Sequence, residues 1–591
     1  MNLYDVSFTN FASVYRKMSS RRLNDEEMRQ MLFDIPSDYE DDTEDEIDDD
    51  VTTIVLDDNC AIYNLPVVDG NVNEEDEITL NVNAEKKCES TGNKNTQKDV
   101  PRKWKKKPEP VPDTTFRHHG TKKMIDANTP VEAFLQFFDD SILDKILYET
   151  NLKSVQNSKP AAIAKEELLC FFGINIVMCF HKLPSIAHYW SSHKVYAVEP
   201  IINAMNRERF QTILKWLHVN DNSKIDKTDK VYKVRPLLDH LNAKFMELKL
   251  LSEHLSVDES VILFKGRSSL KQYNPMKPIK RGFKLWCLCD DTGYLYRTSV
   301  YTGKNEATFN QELRKEVGLG GDVVLSLLSS VSEKNHKAYF DNYFSSLPLM
   351  ELLKSKNILA CGTIRSNRKD LPKNFTSDKE LRRGEYDYRS TSDGITVYKW
   401  CDSKPVHFVS NYHGISETTV QRKDKTGAKL TVPCPDVVDD YNKHMGGVDK
   451  HDMLRQKYGI DRKSKKWWHR LFFGMFDMAI VNAYILYYER FPDEKKPIAD
   501  FKADVGLGLL TFASERRSCG AVKRRKTQYS TPDSVRLSNV GIHKIRFTTV
   551  RGRCPVCSMN GIQSKPLSKC AHCNVHLCCN QSKDCFNIYH T

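Results

Sequence analysis

An α/β multidomain architecture is what this sequence predicts, and three observations predict it. Its 591 residues exceed what one hydrophobic core holds, so at ~150 residues per domain roughly three to four units are expected. The apolar pattern is helical up to about residue 252 and then changes to short β-rich runs. Seven of the 17 cysteines are concentrated after residue 550.

Residues 1–110 are expected to be a disordered acidic region. Residues 1–100 hold 25 Asp and Glu against 9 Lys and Arg, a net charge of −16, and "SDYEDDTEDEIDDD" (37–50) repels itself while offering few aromatics to pack. The remaining 491 residues hold 80 basic and 53 acidic side chains, net +27. A folded part this basic attracts polyanions, of which nucleic acid is the largest. "RKWKKKP" (102–108) reads as an import signal, a DNA-touching arm or a solvated linker.

Residues 111–252 are expected to be mainly helical. Thr129 can cap a helix with Pro130 at its first position and Glu132 closing a capping box. Two further helices are expected over Lys165 to Phe180 and Arg207 to His218. The apolar run Leu168 to Phe180 is shorter than the ~20 residues needed to cross a bilayer, so it reads as a core helix. No secretory signal opens the chain, and the protein is expected inside the cell, off membranes.

From 253 to 360, "HLSVDESVILFKG", "GFKLWCLCDD" and "GYLYRTSVYTG" read as strands, the last two joined by a turn containing Asp291-Thr292-Gly293. "KAYFDNYFSS" reads as another. Residues 361–430 are β-rich, 431–456 carry a glycine pair and an acidic motif, and 457–515 are helical and basic. Residues 516–550 read as a basic linker containing "KRRK", and 551–591 as a cysteine-rich zinc module.

Asp258 lies inside a strand-like run and Asp341 near the end of one. A buried carboxylate is costly unless it is paired or metal-bound. Asp449 and Asp452 are three residues apart, so on a helix they share one side, ~5–6 Å apart at Cβ, and Gly446-Gly447 gives the chain freedom to enter that helix. Such acids can hold two Mg²⁺ or Mn²⁺ ions ~3.5–4 Å apart for phosphoryl displacement. A cap or ion pair is the plainer reading of any one of them.

"DRKSKKWWHR" (461–470) sets Arg462, Lys463, Lys465, Lys466 and Arg470 beside Trp467 and Trp468, a mixture suited to a phosphate backbone and an opened base, although both indoles also fit as core anchors. Lys271, Lys277, Lys280, Arg281 and Lys284 follow the first acid, and Arg365 and Arg368 the second. In the tail, Cys554-x2-Cys557 and Cys570-x2-Cys573 have the spacing of a tetrahedral Zn²⁺ site, and further Cys and His point to a second ion in a cross-braced fold. Disulfides are the alternative, disfavoured in a reducing cell interior. There is no GxxxxGK[ST] and no GxSxG, which removes the usual signatures of ATP hydrolysis and of a serine hydrolase.

"VDESVILFKGR", "YFDNYFSS" and "DYNKHMGGVDKHDM" resemble the three catalytic blocks of piggyBac-type DDE transposases. So do "KQYNPMKPIKRGFKLW", "CGTIRSNRKDLP", "DKVYKVRPLLDHLN" and "KKWWHRLFF", in the same order, over about residue 125 to the C-terminus. The resemblance implies an RNase H-like mixed-sheet catalytic core, split into 253–360 and 431–456 by a β-rich insertion domain at 361–430. It implies that 111–252 and 457–515 come together for dimerisation and DNA binding. Asp258, Asp341 and Asp449 would be the triad, with Asp452 in support. Cys554, Cys557, Cys570, Cys573, Cys578, Cys585 and His590 would bind zinc, the eighth ligand being His572, His576 or Cys579. The implied activity is cut-and-paste transposition, with hairpin formation and integration at TTAA, by a nuclear homodimer acting on the terminal inverted repeats of double-stranded DNA. A domesticated DNA-binding protein and a ubiquitin-ligase-like adaptor built on the tail are the alternatives.

Overall fold

The helices that open the folded part begin where their capping residues stand. The computed structural model describes residues 102–117, 124–275, 279–303, 311–331, 334–423, 427–518, 531–537 and 540–591; the acidic stretch 37–50, Lys277 and "KRRK" lie outside them. Helix α1 (Pro130–Leu135) starts at Thr129, whose hydroxyl accepts from Glu132 N. The Glu132 carboxylate accepts from Asn128 N (2.8 Å), one residue earlier than a capping box requires. Then come α2 (Asp140–Gln156), α3 (Lys165–Phe180), α4 (Glu199–Ala204), α5 (Arg207–Trp216) and α6 (Arg235–Leu248).

A sheet of nine strands follows: β1 (His254–Leu263), β2 (Lys271–Tyr273), β3 (Arg281–Asp290), β4 (Leu295–Val300), β5 (Lys337–Phe340), β6 (Leu359–Thr363), β7 (Tyr386–Ser390), β8 (Thr396–Cys401) and β9 (Pro405–Ser410). Helices α7 (Gln311–Leu327) and α8 (Leu347–Ser355) flank β5 in sequence. The strand order is β2-β3-β1-β5-β6-β9-β8-β7, with β4 also on β3. β1 runs antiparallel to β3 and parallel to β5, and β5 is parallel to β6. At the β3–β4 turn Gly293 takes a positive φ (+89°), while Asp290 Oδ1 accepts from Thr292 N and Tyr294 N.

Several expected boundaries move. The segment 361–430 is β-rich, but β7, β8 and β9 extend the same sheet beyond β6, which itself spans the expected break at 360/361; β10 (Glu417–Lys423) and β11 (Lys429–Pro435) alone form a separate pair. Order also begins before residue 110. Arg102 pairs with Glu351 and Asp370, Trp104 Nε1 donates to Asp370 O, Lys105 exchanges backbone hydrogen bonds with Ser390, and Lys106 pairs with Asp387. Three of the basic-arm side chains are thus engaged by the fold.

After the sheet come α9 (Asp436–His444), α10 (Gly447–Lys457), α11 (Trp467–Arg490) and α12 (Ile498–Ser518). The helical segments before and after the sheet meet: α1 contacts α11 and α12, and α3 packs along α12. A Cβ on Gly173 of α3 would stand 2.8 Å from Gly506 O of α12, so glycine sets that close approach. Helix α11 is long and apolar enough to span a bilayer, yet the window that meets this criterion is entirely buried in the protein. Inside it, Asp477 pairs with Lys502 of α12 at 2.6 Å, both 5% exposed, because a charge at that depth needs a partner.

The tail comprises α13 (Asp533–Arg536), β12 (Ile545–Phe547), α14 (Pro555–Met559), β13 (Ser568–Cys570), β14 (Cys579–Asn580), β15 (Lys583–Asp584) and α15 (Cys585–His590). Its apolar cluster includes Leu152 and Val155 of α2. Asn574 donates to Gln156 O, and Tyr148 Oη lies 2.8 Å from His572 Nε2, so the tail is seated on the first helical segment.

Candidate functional site

Strand register brings the first two acids together. The parallel pairing of β1 with β5 ends at Val257 opposite Phe340, and Asp258 and Asp341 are the next residue on each chain. Neighbouring strands run ~4.8 Å apart. By strand alternation Asp258 shares a side of the sheet with Ser256 and Ser260, the side α10 crosses. A Cβ on Gly447 would fall 2.2 Å from Asp290 O and 2.5 Å from Ser256 Oγ, so only glycine lets this helix start so close to β1 and β3. One turn and a half later Ser260 Oγ donates to Asp452 Oδ1 (2.7 Å), and Arg455 Nη2 donates to Val261 O (3.0 Å) and Asp452 Oδ1 (2.9 Å). On the other flank Lys450 Nζ reaches Asp291 O and His451 Nδ1 lies 2.9 Å from Gly293 O. Asp449, one turn before Asp452, is exposed.

Shared neighbours reflect the same convergence. Burial, then the charges of Asp341 and Asp258 among others, pushes the Tyr441 phenol of α9 well up. Burial also pushes the Cys287 thiol of β3 up to about 12, with Asp452 and Asp258 contributing. Asp258 therefore lies between Asp341 on one side and Asp452 on the other. Their oxygens are held locally: Asp258 Oδ1 accepts from Glu259 N (2.7 Å) and Asp341 Oδ1 from Tyr343 N (2.9 Å). Among the described residues, groups of three or more ligand atoms all within 4.8 Å of one another occur at three places, and none includes these acids. Their all-oxygen donor set suits Mg²⁺ or Mn²⁺.

The basic residues divide by exposure. Lys280, Arg281, Lys463 and Lys465 are exposed. Others serve the fold. Lys284 pairs with Glu259 (2.5 Å) and lies over the Trp286 ring at 4.1 Å. Lys271 Nζ donates to Gly266 O, Lys466 Nζ to Lys215 O, and Arg470 to Leu263 O and Ile460 O. Arg462 stacks over Phe473. Arg365 donates to Asn342 Oδ1, and Arg368 to Asn342 O and Tyr343 O, bracing the turn just after Asp341. Trp468 is 3% exposed and Trp467 packs near Phe283, so both indoles are core anchors.

In the tail two tetrads are formed from interleaved segments. Cys554, Cys557, Cys578 and Cys585 make one, and His543, Cys570, Cys573 and His590 the other, all buried. Cys557 Sγ lies 3.7 Å from Cys578 Sγ and 3.6 Å from Cys585 Sγ, near the ~3.8 Å edge of a tetrahedron with ~2.3 Å Zn–S bonds and far beyond a disulfide. His543 Nδ1 is 3.4 Å from both Cys570 and Cys573, and His590 Nε2 is 3.5 Å from Cys573 while its Nδ1 faces Phe586 O at 2.8 Å. These residues fit Zn²⁺. The residue that completes the second tetrad is His543, within the stretch expected to be linker, and none of His572, His576 and Cys579 belongs to a tetrad. His572 contacts Tyr148, His576 lies 3.1 Å from Pro566 O, and Cys579 sits half-buried in β14. His543 escapes notice because it stands 11 residues before Cys554 with no CxxC-like spacing; the pairing of β12 with β13, Ile545 opposite Cys570, carries it in. An odd ligand count beside an upstream histidine was the available signal.

A family model described as Transposase IS4 matches residues 129–484, most of the folded chain and all four acids. The chain belongs to the piggyBac transposase family. Human PiggyBac transposable element-derived protein 2 is 29% identical over 440 residues, 73% of this chain and 72% of that protein. Human PiggyBac transposable element-derived protein 3 is 32% identical over 368 residues, 61% of each chain. The fold of this piggyBac-family chain is also that of a piggyBac transposase solved in a synaptic complex with hairpin DNA, at a TM-score of 0.58 and 22% identity, covering 79% of this chain and 100% of that one.

Proposed function

We propose that this protein is a cut-and-paste DNA transposase whose Asp258, Asp341 and Asp449 hold the catalytic cations, with Asp452 in support. The single observation that carries this is the parallel register that sets Asp258 beside Asp341 under the helix bearing Asp449 and Asp452. The order β4-β3-β1-β5-β6, with an antiparallel hairpin leading into parallel strands, supports the RNase H-like reading of the core. When bound, a pair of Mg²⁺ or Mn²⁺ ions supplies charge stabilisation to both the attacking and leaving oxygens of an in-line phosphoryl displacement.

The chain's own residues set the geometry. Asp341 is fixed by the Tyr343 amide and by the Arg365 and Arg368 braces on its turn. Asp452 is held by Ser260 and Arg455, so it steadies α10 while Asp449 stays exposed. Exposed Lys280, Arg281, Lys463 and Lys465 would contact phosphates. The two tetrads would each hold a structural Zn²⁺, giving a cross-braced module that reads the transposon ends. Hairpin formation, integration at TTAA, a homodimer and a nuclear site of action complete the reading. Asp341→Asn should cut the rate of Mg²⁺-dependent nicking at least ~10²–10³-fold while leaving binding to end DNA intact; nicking at the original rate would remove the assignment.

A second reading keeps the fold and the DNA binding without transposition, and the names of the human relatives, transposable element-derived, are the observation for it. The sequence flanking the gene separates the two: inverted repeats bounded by TTAA favour mobility, and their absence favours domestication.

A further inference from the structure

We infer that His254, Asp440 and His444 form a third site for a divalent transition-metal ion, of the two-histidine, one-carboxylate class, which clamps β1 to the α9–α10 segment. One ligand atom from each of the three lies within 4.8 Å of the others. His254 opens β1, four residues before Asp258, and His444 closes α9, five residues before Asp449. An ion here would join the strand that bears Asp258 to the segment that bears Asp449 without touching those acids, and the inference does not depend on the transposase reading.

The argument rests on which atoms are already committed. His254 Nδ1 lies 2.9 Å from Tyr339 Oη, which leaves Nε2 for a ligand. His444 Nδ1, which makes no hydrogen bond, faces Asp291 Oδ2 at 3.5 Å, while its Nε2 is 3.7 Å from Asp440 Oδ1. Asp440 Oδ2 receives Tyr339 Oη (2.9 Å) and Tyr412 Oη (2.5 Å) and lies 3.2 Å from His413 Nε2, which leaves Oδ1 facing the histidines. The far atoms of His254 and Asp440 are thus held by hydrogen bonds, as those of metal-binding histidines and carboxylates are in general, while that of His444 faces Asp291 without one. Glu253 Oε1, 3.9 Å from His254 Nε2, is engaged by Lys337 at 2.6 Å.

The alternative is a purely structural stack, since the two imidazoles lie face to face with centroids 3.6 Å apart and planes 5° apart. Two imidazolium ions cannot share that position. On binding, the rings must open from the stack so that both lone pairs converge. Two imidazoles and one carboxylate select Zn²⁺, Co²⁺ or Ni²⁺ over Mg²⁺ or Ca²⁺, which prefer oxygen alone.

The test uses the full chain, loaded with Zn²⁺, desalted and weighed by native mass spectrometry. The wild type should carry one ion more than His444→Gln and one more than His254→Gln, with the tail's share unchanged. Equal stoichiometry in wild type and both variants overturns the site, as does a loss seen with Asp341→Asn instead, which would assign the ion to the sheet acids. Should the variants fail to fold, anomalous scattering at the zinc edge from wild-type crystals decides: a peak among the three side chains is expected, and its absence refutes the site. Loading with Co²⁺ adds a spectroscopic check. The tail should give intense thiolate charge-transfer bands, and His444→Gln should remove only the weaker absorption of a sulfur-free centre.

Discussion

At the C-terminus, thiols and imidazoles from separate segments already stand 3.4–3.7 Å apart in two tetrads, whereas on the sheet the acids are neighbours whose oxygens are taken up by nearby donors. The difference follows from charge. The tetrad cysteines pack within the apolar cluster of the tail. Two carboxylates ~5 Å apart at an effective dielectric of ~20 repel by ~3 kcal/mol, so they lean on local donors until a cation arrives. A site for a resident structural metal can thus be complete in the fold, while a site for exchangeable catalytic ions is preset only by its backbone.

The largest effect expected concerns the tail. Structural Zn²⁺ contributes on the order of 10 kcal/mol to small folds of this kind, so chelation should expose the amides of 540–591 to hydrogen exchange while β1, β3 and α11 keep their protection. Uniform protection after verified zinc removal would break the contrast. His543→Ala should lower zinc content by one ion per chain, and His576→Ala should leave it unchanged. Next, Asp449→Asn should abolish nicking, ~10²–10³-fold or more, with the melting temperature unmoved because the side chain is exposed. Asp452→Asn should instead lower the melting temperature, since it leaves Arg455, 7% exposed, without its charge partner. Equal behaviour of the two variants would deny them separate roles.

A smaller cost, ~1–3 kcal/mol, is expected for Gly447→Ala, whose methyl group must push α10 away from Asp290 O and Ser256. Denaturant midpoints give its size, and a neutral result would show that α10 is not held against β1 as described. Smallest is Lys463→Ala with Lys465→Ala, which should weaken DNA binding and flatten the log–log salt dependence by at most ~1.8, about 0.9 for each phosphate no longer neutralised. An unchanged slope would leave those lysines without a DNA role.

Much of this was readable in the residues. Alternation and apolar runs located β1, β3 and β4, and the capping residues located α1. The acids announced themselves because Asp258 interrupts a β-rich run and Asp449 follows a glycine pair. What stayed hidden depended on long-range pairing. The extension of the sheet by β7 to β9 rests on β6 meeting β9, His543 enters a tetrad only through β12, and the DNA-like composition of "DRKSKKWWHR" conceals that Trp468 and Arg470 face inward. Composition reports which groups are present, but burial decides which of them can meet a ligand.

The seating of the tail on α2 also bears on how copies of such a gene decay. A frameshift that removes everything after residue 530 would strip the cover from Leu152 and Val155 and leave Tyr148 without its histidine. The shortened product would carry a sticky patch on an otherwise finished body, and proteolytic clearance or clumping, rather than a quiet loss of one binding module, would be its fate.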